Sequence, residues 1–181
     1  MAYLLRGLVL IMFLSVNLTI AVAHDWVNIG LSHIQIAIPT FLYTIFAQAF
    51  AMFYFIGIGR LVDNIHLIIS TSTNLNELFD EVPEDLSPYL KKVEKFVYDA
   101  KLAKRQTIPW TILMLILGMI AFLLGGAHDT GMVEITTHSG VVYGFAAAMT
   151  IGFFRQWYYL GKAHLLLRKV KTLFSIPDGQ M

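Results

Sequence analysis

All thirteen lysines and arginines of this 181-residue chain fall into four places. They are Arg6, seven residues between 60 and 105, Arg155, and the group Lys162, Arg168, Lys169 and Lys171. Residues 24–59 and 106–154 hold none. Stretches that long without a cation do not suit a soluble domain, in which about 25% of residues are charged. Here 14% are charged and 57% are hydrophobic, with mean hydropathy +0.66. The segregation points to an all-α, polytopic membrane protein. Its length fits a single membrane domain with no room for a second large globular unit.

Four apolar segments are long enough to cross about 30 Å of hydrocarbon. They lie at about 3–23, 36–59, 107–127 and 140–160. The first admits two readings. Behind Arg6 and ending in Ala21-Val22-Ala23, it fits a cleaved signal peptide as well as a first transmembrane helix. We read it as the helix; cleavage would instead leave His24 as a new N-terminus able to chelate copper. In the second span Pro39 falls near the start, where a missing N–H costs least. Gln48 is its one strongly polar side chain at mid-depth, and it is expected to hydrogen-bond to another helix.

Residues 60–105 carry eight acidic residues beside their seven basic ones, so they lie outside the lipid. Leu61, Ile65, Ile68 and Leu75 extend one apolar face, and Leu90, Val93, Val97 and Ala100 form another at helical spacing. A helical hairpin, or stalk, is expected here between the second and third spans. Ser87-Pro88 reads as the N-cap and first residue of its second arm.

The fourth segment carries Gly140, Gly144, Ala148 and Gly152 at intervals of four. Small residues in such a row let helices approach closely in lipid, where little hydrophobic force acts between them. The aromatics Phe153, Phe154, Trp157, Tyr158 and Tyr159 and a basic tail, 161–181, follow. Under the positive-inside rule the charge map places both termini and the stalk in the cytoplasm, with 24–35 and 128–139 outside. A bacterial inner membrane fits this arrangement.

The outer segments then hold His24, Asp25, His33, His128, Asp129, Glu134 and His138, with no competing cation. Imidazole with carboxylate is a reasonable ligand set for copper or zinc, and His24, Asp25, His128, Asp129 and Glu134 are the candidates. None of them has the spacing of a helical HExxH motif. His33 and His138 open the second and fourth spans at comparable depth, as two axial ligands of one haem b held between those helices. A second haem at His66 and His164 does not fit. From His33 to His66 is about 50 Å of helix and from His138 to His164 about 39 Å, both longer than the core.

With no cysteine in the chain, thiolate metal sites, disulfides and c-type haem attachment are excluded. There is no phosphate-binding glycine loop and no nucleophile elbow. No carboxylate lies within a span, which argues against an ion-coupled carrier. The basic residues border a membrane face, where anionic lipid explains them better than nucleic acid does. The sequence therefore suggests a small membrane subunit or accessory protein rather than an autonomous enzyme. It would be held in a larger assembly, such as one of electron transfer, by other membrane subunits or by further copies of itself. An outer-face copper or zinc protein and a cofactor-free structural protein are the alternatives.

Overall fold

A computed structural model describes residues 1–175, and these form four α-helices with no strand among them. The helices are α1 (Ala2–Ala23), α2 (His33–Thr71), α3 (Ser87–Asp129) and α4 (Ile135–Phe174), with a 3-10 turn at Leu75–Glu77. The chain end at Pro177-Asp178-Gly179, with the rest of the tail beyond residue 175, lies outside the described residues.

Three helices, α1, α2 and α3, are long and apolar enough to cross a membrane. The fourth expected span lies within α4, which is 40 residues long. It is not among the three: its first half gives several positions to glycine, threonine, serine and histidine, which lower its hydropathy. At 1.5 Å per residue, α2, α3 and α4 run about 58, 64 and 60 Å, roughly twice a hydrocarbon core. All three therefore project well beyond one.

Each helix packs against two neighbours in the cyclic order α1, α2, α3, α4, and α2 faces α4 only across the diagonal. Helix α1 is part of the core, with Leu5, Val9, Met12 and Val16 buried. It runs antiparallel to α4, and two contacts fix their register. At one end Tyr3 meets the His164 ring edge-on at 5.3 Å. At the other, His24 Nε2 lies 3.1 Å from the Tyr143 hydroxyl.

The polar centre of the bundle joins all four helices. Gln48 donates to Gln156 Oε1 at 3.2 Å, and Gln156 donates back to Gln48 Oε1. Gln156 also donates to Thr111 Oγ1 at 2.8 Å, and Gln48 to Met12 Sδ at 3.0 Å. Gln48 thus makes the interhelical hydrogen bond expected of it. Both glutamines are fully buried, and in such surroundings an amide left unpaired is costly.

Where a two-armed stalk is expected, three helices pack together. Val62, Ile65 and Ile69 of α2 and Val93, Phe96 and Ala100 of α3 are buried in one cluster with Ala163, Leu166, Val170 and Phe174 of α4. Phe79, Tyr89 and Phe174 close its tip, with ring centroids 4.9–6.3 Å apart. The start of α3 also differs from expectation by one position. Ser87 is the first helical residue, and its backbone N–H donates to Asp85 Oδ1 at 2.9 Å. The N-cap position falls on Leu86, which has no capping side chain, and the Asp85 carboxylate takes up the first N–H of the helix instead.

Candidate functional site

The histidine-rich end of the bundle divides into two corners. At the α1–α4 corner His24 terminates α1. Its ring lies nearly parallel to those of Trp26 and Tyr143, with centroids 5.0 and 6.0 Å away, and takes part in the hydrogen bond to the Tyr143 hydroxyl. Asp25 follows in the left-handed conformation, φ 57°, which turns the chain away from the helix. Tyr143 is the partner that a search for metal ligands overlooks, since it is neither imidazole nor carboxylate.

The second corner belongs to α3, α4 and the start of α2. His128 lies in the last turn of α3, and its Nδ1 is 3.1 Å from the Val133 carbonyl. An Nδ1–H donating to that carbonyl leaves Nε2 as the ring's open lone pair. The His138 ring runs nearly parallel to it, 7° between planes and 6.3 Å between centroids. His138 packs on α3 at Gly125, where an added Cβ would lie 3.2 Å from its Cε1. Its Nδ1 is buried and has no hydrogen-bond partner among the described residues. His33 and Asp129 are close enough to contribute to the field at His138.

His33 is the first residue of α2, placed there by a capping box in which Ser32 and Gln35 satisfy each other's backbone N–H groups. Glu134 is the N-cap of α4, and its side chain accepts from the Thr136 hydroxyl at 3.3 Å instead of turning inward. Among the described residues no three His, Asp or Glu side chains come together as a metal-ligating group. The metal candidates His24 and Asp25 stand at one corner, while His128, Asp129 and Glu134 stand at the other. The haem candidates His33 and His138 share an end of the bundle but belong to diagonal helices.

The row of small residues also divides. A step of four residues turns a helix by 400°, so such a row drifts about 40° per step around the axis. Ala148 and Gly152 are buried, and a Cβ on Gly152 would lie 2.6 Å from Met114 Cε. Gly140 and Gly144 face outward with nothing within 4 Å. The space they leave opens away from the bundle rather than between α2 and α4, where Phe145, Ala148 and Met149 fill the interior beneath His138.

The opposite, basic end has its own order. Arg155 donates to both the side chain and the carbonyl of Gln106 on α3, with Cζ 5.4 Å from the Trp110 ring. Arg6 donates to the Trp157 carbonyl at 3.0 Å. No protein-family model, curated protein or solved structure matches the chain.

Proposed function

We propose that this is a four-span membrane protein with both termini and the helical stalk on the cytoplasmic side. On this reading it serves as a non-catalytic subunit or accessory protein of a larger membrane assembly. What supports it is the Gln48–Gln156–Thr111–Met12 clasp, which commits the polar groups at the bundle's centre to one another. A carrier or channel needs such groups free to meet its cargo. Meanwhile the Gly140–Gly144 face is left uncovered, at a surface where another helix can come close. The test is native-gel electrophoresis of mild-detergent extracts from the source membrane. The protein should migrate in a larger complex, and Gly144→Leu should release it. Migration as a monomer from fresh membranes would count against the reading.

A second reading is favoured by one observation, the unpartnered Nδ1 of His138 beside the His128 ring. Under it, the histidine-rich end holds a haem b through His33 and His138, or copper or zinc through His128 and its neighbours, and serves electron transfer in the same assembly. A visible spectrum and elemental analysis of purified protein decide between these. A Soret band lost in His33→Ala and His138→Ala identifies haem. Stoichiometric copper or zinc lost in His128→Ala identifies the metal. A colourless, metal-free preparation removes this reading and leaves the first intact.

A further inference from the structure

At the basic end, the start of α1 and the α4 turn that follows Trp157 enclose a cleft of about 330 Å³. Tyr3, Arg6, Tyr158, Gly161, Lys162 and His164 supply its chemistry, and no carboxylate among the described residues lines it. Arg6 is the only charged side chain of α1. Its guanidinium crosses to α4, donates one N–H to the Trp157 carbonyl at 3.0 Å, and has its Cζ 5.1 Å from the Trp157 ring. It lies so close to Gly161 that a Cβ there would collide with it. The Arg6 Nε is buried and has no hydrogen-bond partner among the described residues.

A guanidinium carries five N–H donors, so Arg6 has more capacity than the one carbonyl uses. Lys162 Nζ stands 5.4 Å from the Tyr158 ring, and His164 packs against Tyr3. The first turn of α1 has neither an acidic residue nor a side-chain cap. Its free N–H groups and the positive end of the helix dipole add to the field of the side chains. Three nitrogenous side chains and a helix start thus face a small space into which the described residues put no carboxylate.

We infer that this cleft binds a phosphate group, supplied by the headgroup of an anionic phospholipid in the adjoining leaflet. Arginine suits that task through its planar fork of donors, with lysine adding a mobile point charge. The flanking aromatics Tyr3 and Tyr158 and the apolar Leu165 are exposed, so the cleft opens sideways where acyl chains would lie. The inference does not depend on what the imidazoles at the far end carry.

Native mass spectrometry of the full chain, released from nanodiscs of mixed phosphatidylglycerol and phosphatidylcholine, tests it. The wild type should retain one phosphatidylglycerol in preference to phosphatidylcholine. Lys162→Gln, an exposed change that leaves the helix contacts alone, should weaken retention about tenfold, as loss of one charge-assisted contact does. Gly161→Ala, which displaces the Arg6 guanidinium, should weaken it too, with helicity by circular dichroism showing that both variants fold. Displacement of the lipid by inorganic phosphate would assign the cleft to a soluble phosphate and overturn the lipid as its source. Equal retention of the two lipids, or undiminished retention in both variants, would overturn the site altogether.

Discussion

Gln48 of α2 and Gln156 of α4 exchange side-chain amide hydrogen bonds across the diagonal of the bundle, and both are fully buried. The pair fastens two helices that otherwise barely touch. Through Thr111 and Met12 it reaches the remaining two.

Interhelical hydrogen bonds within membranes average about 0.6 kcal/mol, with a maximum near 1.7. Replacing one glutamine also strands the other, at about 1–3 kcal/mol for a buried group left unsatisfied. The second effect is the larger. Gln48→Leu and Gln156→Leu should each lower stability by about 1–3 kcal/mol, while the double variant should lose clearly less than their sum. Denaturant unfolding in detergent, followed by circular dichroism, measures both. Additive losses would mean that the two amides act independently.

Gly144 and Gly152 occupy the same row of small residues and should respond differently. Leucine at Gly152 must displace the fully buried Met114, an overpacking that costs typically 1–3 kcal/mol (roughly). Leucine at Gly144 meets open space and should leave the isolated protein as stable as wild type. Thermal unfolding of the two variants in detergent checks the contrast, and equal destabilisation would refute the division of the row.

Asp85 lies at the solvent-exposed entrance to α3, where the Ser87 hydroxyl and backbone N–H hold its carboxyl below the usual aspartate range. A carboxylate with a lowered pKa stabilises the fold above its unfolded value, and that contribution is lost as pH falls through the folded value. The first turn of α3 should therefore stay capped near neutrality and fray only on acidification. An NMR titration should give Asp85 a midpoint below that of ordinary aspartate, and Asp85→Ala should speed amide exchange at Ser87, Tyr89 and Leu90 even at neutral pH. An ordinary midpoint would remove the cap.

Much of this arrangement is readable in the sequence because charge and apolar runs are so sharply separated. The helices and the interhelical role of Gln48 follow from that separation. Gln156 is harder to see, because it sits between Arg155 and Trp157 and resembles part of an interfacial belt. Only the packed structure shows that the face of α4 bearing Gln156 turns inward at the depth of Gln48. The basic tail hides its inward face for a similar reason: Leu160, Ala163, Leu166, Val170 and Phe174 recur at three and four residues beneath a conspicuous set of lysines and arginines. The distribution of the histidines between two corners depends on helix order and rotation, which no spacing in the chain encodes.

Because the chain has no cysteine, single introduced thiols can report on sidedness directly. The decisive measurement labels the Asn28→Cys, Thr130→Cys, Ser72→Cys and Ser175→Cys variants in sealed vesicles of known orientation with a membrane-impermeant maleimide. Four spans with both termini inside predict that Asn28→Cys and Thr130→Cys react from one side and Ser72→Cys and Ser175→Cys only from the other. Labelling of Ser175→Cys from the same side as Thr130→Cys would contradict the account, since α4 would then not cross the membrane.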